Sequence, residues 1–133
     1  MKPSSEMGSQ PPTLIVVNRV SALLDGTAYV GSFFELWDWG VVARMVGLAD
    51  GFVRGVLDMQ VELRDDQGGR YEWRAAISGG MVLPEEVMLA FDGTPGASAR
   101  VLQLGVAGSG DAVMSATIPA SWGNPSRSRF SSD

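Results

Sequence analysis

The sequence predicts an all-β domain, an antiparallel sandwich or barrel of about seven or eight strands. Three observations support this prediction. Apolar and polar residues alternate with a period of two across much of residues 53–77, which is typical of strands with one buried face. Other segments are short and rich in β-branched or aromatic residues. Turn signals that contain glycine separate these segments at short intervals.

The first predicted strands lie in residues 13–20 and 27–36. Residues 13–20 (TLIVVNRV) are rich in β-branched side chains, and residues 27–36 (TAYVGSFFEL) are rich in aromatic ones. Asp25-Gly26 between them is a turn signal. We therefore expect two strands joined by a turn.

Residues 41–57 are compatible with two structures. A helix would place apolar residues on one face and charged residues with glycines on the other. Against a helix, Gly47, Gly51 and Gly55 would each cost about 1 kcal/mol. Asp50-Gly51 is in addition a strong hairpin-turn signal. We favour strand–turn–strand and keep the helix as the alternative.

A β-hairpin is predicted for residues 53–64 and 70–77, because in both segments the odd positions are mostly apolar and the even positions mostly polar. If Gln67-Gly68-Gly69 forms the loop, three opposite-charge pairs line the solvent face: Asp66–Arg70, Arg64–Glu72 and Glu62–Arg74. Shifting the register would place like charges opposite each other, which is destabilising. The favoured register puts Leu63 beside Trp73 and Met59 beside Ile77 in the core.

The remaining predicted strands are separated by turns rich in glycine and lie in residues 86–91, 97–106 and 112–118. No domain boundary or internal repeat interrupts the pattern, so residues 13–123 are predicted to form a single β domain. Residues 1–12 are rich in Pro, Ser and Gly and are predicted to be a disordered N-terminal arm. Residues 124–133 are predicted to be a flexible C-terminal tail rich in Ser and Arg.

The residue types that are missing restrict the possible chemistry. The chain has no histidine and no cysteine, and its only lysine is Lys2. Histidine and cysteine supply much of the acid–base, nucleophilic and zinc chemistry available near neutral pH. Asp65 and Asp66 at the predicted hairpin tip match no calcium-loop spacing, so a solvated turn is favoured there. We therefore predict no catalytic residues, no metal and no cofactor, and a protein that is not an enzyme.

The charge distribution restricts the possible partners. The formal net charge is −5, and the basic residues do not cluster. Proteins that bind nucleic acid usually carry a basic patch, so direct nucleic-acid binding is not expected. No uncharged apolar run approaches the roughly 20 residues of a membrane-spanning helix. We therefore expect a soluble chain with no membrane partner.

Three tryptophans are the candidate contacts for a partner or a ligand. In an extended segment, Trp37 and Trp39 would share a face with Glu35. Aromatic rings in line beside a carboxylate can stack on a sugar or on a partner protein, although large aromatic side chains also commonly fill the core. Trp122 precedes the predicted tail and is expected to be exposed or docked on a neighbour.

Together these features favour a non-catalytic structural protein, a subunit of a larger symmetric assembly such as a capsid, decoration or tail component of a virion. The expected partners are further copies of the chain or other assembly proteins, because disordered arms can order on a neighbour. The hydrophobic fraction of 45% and the seven methionines would supply adaptable contact surface. The alternative is a small ligand-binding module for a carbohydrate or a nucleotide. The sequence indicates a soluble chain, and a virion is one candidate location. It indicates no other localisation.

Overall fold

A computed structural model of the chain describes residues 11–23, 25–79 and 84–122. The predicted C-terminal tail and residues 1–10 of the predicted N-terminal arm lie outside the described residues. Within the described part the fold is all-β, which confirms the predicted class, and it contains eight strands and one short helix. In chain order the elements are β1 (Thr13–Ala22), β2 (Ala28–Leu36), β3 (Gly40–Gly47), α1 (Phe52–Asp58), β4 (Val61–Asp65), β5 (Glu72–Ser78), β6 (Glu85–Asp92), β7 (Val101–Val106) and β8 (Ala112–Thr117).

The strands form two antiparallel sheets that pack as a sandwich. The larger sheet has five strands in the order β1-β2-β3-β6-β5, and the smaller sheet has three in the order β4-β7-β8. Side chains from both sheets meet in one hydrophobic core. Phe34 and Phe91 of the larger sheet and Leu102 and Leu104 of the smaller sheet are each at most 1% exposed. The core therefore lies between the two sheets.

Strand β6 illustrates how the alternating sequence produces these layers. Val87, Leu89 and Phe91 point into the core and are 0–1% exposed, whereas Met88 and Ala90 between them are half-buried on the other face. β-branched and aromatic side chains suit such a pleated, half-buried surface. Burying each core-facing side chain contributes about 2 kcal/mol, so these residues hold the strand in its register.

The predicted hairpin between residues 53–64 and 70–77 is wrong. β4 pairs with β7 in the smaller sheet, whereas β5 pairs with β6 in the larger sheet. Leu63 therefore lies opposite Leu104, and Trp73 lies opposite Phe91. The connection after β4 carries the chain from one sheet to the other, so the two segments cannot be hairpin partners.

The predicted charge pairs are also replaced by others. Arg64 contacts Glu62 on its own strand, with 3.4 Å between Nη1 and Oε2. Arg74 Nη1 lies 2.9 Å from Asp92 Oδ1 on β6. Asp66 accepts hydrogen bonds from backbone N–H groups at the start of β7. Exposed ion pairs stabilise by only about 0–1 kcal/mol each, so charge matching could not decide the pairing against the burial of core side chains.

Residues 41–57 combine features of both predicted alternatives. The first half is strand β3, and the chain turns at Asp50-Gly51 as expected. The second half is the helix α1 rather than a strand, so the prediction of strand–turn–strand is wrong there. Gly51 precedes the helix with φ at +84°, a left-handed conformation that glycine adopts without a steric penalty.

Helix α1 is held by contacts that its own sequence could not reveal. Phe52 and Val56, four residues apart, are both 0% exposed and enter the core from one side of the helix. The Phe52 ring stacks on Tyr29 with 5.5 Å between the ring centroids. The Glu85 carboxylate of β6 accepts hydrogen bonds from the N–H groups of Gly51 and Val53, both at 3.0 Å. Tertiary contacts therefore compensate for the low helix propensity of this segment.

Candidate functional site: the outward face of the larger sheet

The outward side of the larger sheet carries apolar residues in cross-strand register. Its middle row runs across β1, β2, β3, β6 and β5 through Val16, Phe33, Arg44, Met88 and Ile77. The adjacent row, through Phe34, Ala43 and Leu89, is 0% exposed and points into the core. Because successive residues of a strand point to opposite faces, the middle row points away from the core.

Two further rows flank the middle one. They contain Leu14, Glu35, Val42, Ala90 and Ala75 on one side, and Val20, Val30, Val46 and Glu86 on the other. We call the three rows together the outer apolar face. Val16, Val20 and Ile77 are 68%, 67% and 66% exposed. A sheet face in contact with water normally carries polar residues. The strongly exposed apolar side chains of this face therefore lie on its two edge strands, β1 and β5, whereas Val42 in the middle is 9% exposed.

The cation at the middle of the outer apolar face is satisfied by its neighbours. Arg44 Nη2 lies 2.9 Å from Glu86 Oε1, and Arg44 Nη1 donates a hydrogen bond to Ser32 Oγ at 3.3 Å. The guanidinium carbon lies over the Phe33 ring, 5.5 Å from its centroid. Only 24% of the Arg44 side chain is exposed. The guanidinium therefore lies along the face instead of extending into water.

Trp37 and Trp39 lie together in the loop between β2 and β3, at one end of the outer apolar face. Their rings stack with centroids 6.2 Å apart and an interplanar angle of 23°. Trp37 is half-buried and donates its Nε1–H to Glu35 Oε1 at 2.9 Å, whereas Trp39 is 39% exposed. The guanidinium of Arg74, paired with Asp92, lies 4.7 Å from the centroid of the Trp39 ring. The structure thus brings these two candidates together, with Arg74 covering part of their aromatic surface.

Trp122 lies at a different place in the fold. It is half-buried and packs against the hydrophobic core. Its Nε1–H donates a hydrogen bond to the carbonyl oxygen of Pro95 at 3.0 Å, in the connection between β6 and β7. Much of its indole surface is therefore used within the chain.

The acidic turn after β4 is built from hydrogen bonds between side chain and backbone. Asp65 accepts hydrogen bonds from the N–H groups of Gln67 at 2.8 Å and Gly69 at 2.9 Å, and from the Tyr71 hydroxyl at 2.5 Å. Burial opposes ionisation of Asp65, but these hydrogen bonds outweigh it and hold the pKa of Asp65 below its usual value. The same carboxylate raises the pKa of Tyr71, in addition to the larger effect of burial. Asp65 and Tyr71 therefore hold the backbone of this turn in place.

An apolar cleft opens where the smaller sheet ends beside β5. Its volume is about 410 Å³, and it is lined by Val56, Leu57, Gln60, Val61 and Trp73. Trp73 is 49% exposed there, and every residue of β5 is exposed. This lining contains no charged side chain, so the cleft offers apolar contact without groups for acid–base chemistry.

Sequence reasoning missed the outer apolar face, although a signal for it was present. The TLIVV run that opens β1 and the GVVARMVG segment of β3 carry apolar residues at successive positions rather than at alternate ones. Such a run predicts a strand that is covered on both faces. On β3 the sandwich core covers one face, and Val42 on the other face is only 9% exposed, whereas on β1 Leu14 and Val16 remain 52% and 68% exposed.

Comparisons of the chain with models of known protein families, with curated proteins and with solved structures found no significant match. Among the described residues, no group of three or more His, Asp, Glu or Cys side chains is arranged to hold a metal ion. No helix in that part of the chain is long and apolar enough to cross a membrane. The geometry of the outer apolar face is accordingly the basis for a functional proposal.

Proposed function

We propose that this chain is a non-catalytic structural protein, a subunit of a larger symmetric assembly such as a capsid, decoration or tail component of a virion. The observation that carries the proposal is the outer apolar face. Monomeric proteins rarely expose contiguous apolar patches larger than a few hundred Å². A contact between subunits accounts for the exposed apolar side chains at both edges of the larger sheet, on β1 and β5.

The exposures on this face support a contact surface better than scattered apolar residues do. Val16 and Ile77, 68% and 66% exposed, are at opposite edges of the same cross-strand row. Covering a whole side chain of this kind stabilises by about 1.5–3 kcal/mol. The exposed two-thirds of each would therefore contribute about 1–2 kcal/mol when a neighbouring subunit covers the face.

The carboxylates with lowered pKa values support a structural role in a different way. Backbone hydrogen bonds from Val53 and Gly51 hold the pKa of Glu85 below its usual value. A general acid needs the opposite shift, towards neutral pH. Glu85, at the start of β6, fixes the backbone at the start of α1, and Asp65, at the end of β4, fixes the turn that follows it.

A ligand-binding module for a carbohydrate or a nucleotide is the second candidate, and the Trp37–Trp39 stack favours it. Aromatic rings near a surface can stack on a sugar or a base. The Trp39 ring, however, already has Trp37 and Arg74 as neighbours, which reduces the aromatic face left for a ligand. This candidate predicts a monomer in which Trp39→Ala loses a ligand but keeps its fold, measured by titration with oligosaccharides and nucleotides.

Light scattering across a concentration series tests the assembly proposal. Val16→Lys and Ile77→Lys each place a charge on the outer apolar face. Leu57→Lys is the matched control, because Leu57 is 43% exposed on α1, outside the outer apolar face. We expect the wild type and the control to exceed the single-chain mass of 14.1 kDa. The two variants on the face should remain at the single-chain mass, with circular dichroism showing that they are folded.

Two results would count against this proposal. A wild-type mass of 14.1 kDa at every concentration would exclude self-assembly. Equal dissociation of Leu57→Lys and the two variants on the face would place the contact on another surface. Removing residues 1–12 and 124–133 in a parallel series measures what the predicted arms add to the association.

A further inference from the structure

We propose that the occupant of the outer apolar face is the same face of a second copy of this chain, packed across a two-fold axis with Arg44 near its centre. This inference rests on the proposed function and specifies its first contact. Two-fold contacts are the commonest in homo-oligomers, and each copy contributes the same surface to them.

The width of the face is the first reason to choose a second copy. Val16 on β1 and Ile77 on β5 are at the two edges of the same row. Strands in a sheet are about 4.8 Å apart, so four intervals separate these side chains by about 19 Å. A single helix is about 10 Å wide and would leave one of the two in water. An equally wide sheet covers both.

The area of the face reaches the lower limit for a specific contact between two copies. Five strands span about 24 Å, and three rows of residues two positions apart span about 20 Å along the strands. The flat area is therefore about 500 Å², so two copies would bury about 1,000 Å² before the relief of the side chains is counted. Specific interfaces begin at about this size. Two sheets packed in this way would lie about 10 Å apart, as in the core of a sandwich.

The charges on the face favour an uncharged, apolar occupant. Arg44 and Glu86 pair within one copy at 2.9 Å, and Arg44 also lies over Phe33. Their charges cancel, so the middle of the face needs no oppositely charged partner. Glu35, also on the face, accepts a hydrogen bond from Trp37 Nε1 at the end of the face. A second copy therefore meets a paired Arg44 and Glu86 at the centre, which avoids burying either of these charges unpaired.

The edges of the larger sheet argue against the other common contact, in which two sheets join strand to strand. β1 has an irregular register between Val16 and Arg19, and β5 has one between Trp73 and Ala75. Such bulges twist a strand and disrupt its exposed hydrogen-bonding edge. The face is accordingly the better surface for a second copy.

Cross-linking tests the geometry directly, because the chain has no cysteine of its own. Met88→Cys places one thiol next to Arg44 near the centre of the face, and Val101→Cys is the control on the smaller sheet. A bismaleimide with a reach of about 10 Å matches the spacing of packed sheets. At micromolar protein, we expect Met88→Cys to form covalent dimers about a hundredfold faster than Val101→Cys, since a paired thiol sees a millimolar effective concentration.

The outcomes separate this inference from the function on which it rests. Fast dimer formation by Met88→Cys supports the face-to-face pair. A mass above 14.1 kDa with equally slow cross-linking of both variants would overturn the pair and leave the assembly function standing. A monomer throughout would overturn both. If Met88→Cys does not fold, Ala90→Cys on the same strand and face gives the same test with a smaller change of side chain.

Discussion

Replacing Phe52 with alanine tests the packing that joins helix α1 to the sandwich. Phe52 is 0% exposed, and its ring stacks on Tyr29. A Cβ atom on Gly47 would lie only 2.3 Å from Phe52, so the ring fills the space beside β3 completely. Truncating a buried phenylalanine costs about 3–5 kcal/mol. We expect a loss of about 4 kcal/mol in the free energy of unfolding.

Leu57→Ala on the same helix is the matched control. Leu57 is 43% exposed, so its truncation removes little more than half of a buried leucine and should cost about 1 kcal/mol. A strand through residues 53–64, as the period-two pattern predicted, would reverse this order, because it would bury Leu57 and turn Phe52 outward. The ratio of the two losses therefore distinguishes the helix from the strand.

Urea unfolding followed by circular dichroism measures both losses. With a slope of about 2 kcal/mol per molar urea, Phe52→Ala should lower the midpoint by about 2 M and Leu57→Ala by about 0.5 M. Equal shifts for the two variants would refute the packing of α1. If Phe52→Ala does not fold, Phe52→Leu keeps most of the volume and should lose about 1 kcal/mol.

Two further predictions concern the backbone and acid stability. Gly40→Ala should lower the thermal midpoint strongly, because the new Cβ would lie 2.1 Å from the Phe91 carbonyl oxygen. Gly96→Ala is the control and should change the midpoint little, because a Cβ there has nothing within 4 Å. Similar midpoints for the two variants would contradict the close approach of β3 and β6. Asp65 has a lower pKa in the folded chain than in the unfolded chain. Its ionised form therefore stabilises the fold at pH values above the unfolded pKa, and this contribution is lost as the pH falls through the folded pKa. Tyr71→Phe removes one of the hydrogen bonds that lower the pKa of Asp65. The unfolding free energy of this variant should therefore fall less than that of the wild type between about pH 5 and pH 2. Parallel pH profiles for the two proteins would argue against this effect of the Tyr71 hydroxyl.

The fold class could be predicted because alternation and turn chemistry are local properties of the sequence. The predicted strand over residues 86–91 corresponds to Glu85–Asp92, and the one over 112–118 corresponds to Ala112–Thr117. The predicted strand over 97–106 begins later, at Val101. In each case the buried face required by the core left a repeating pattern in the chain itself.

The pairing of strands could not be predicted in the same way, because it depends on residues distant in the sequence. Charges on β4 and β5 matched as a hairpin, yet Leu63 packs opposite Leu104 and Trp73 opposite Phe91. Likewise, α1 depends on Glu85 of β6, which receives the hydrogen bonds of its first N–H groups. Neither contact is visible in a local window of sequence.

The outer apolar face was not predicted from the sequence, which singled out tryptophans instead. Trp37 and Trp39 were expected to act together, and they stack in one loop. The outer apolar face requires the order of five strands before its rows can be assembled. Its members come from β1, β2, β3, β5 and β6, so no single segment of sequence reveals the patch.

The central claim is that a neighbouring subunit covers the outer apolar face, and thiol protection measures this coverage most directly. Ile77→Cys places a label on the face, and Val101→Cys places one on the smaller sheet. Both variants are treated with a small maleimide from micromolar to millimolar protein. The account predicts that modification of Ile77→Cys slows by about tenfold or more as the concentration rises, while modification of Val101→Cys keeps a constant rate. A constant rate for both variants at every concentration would contradict the account.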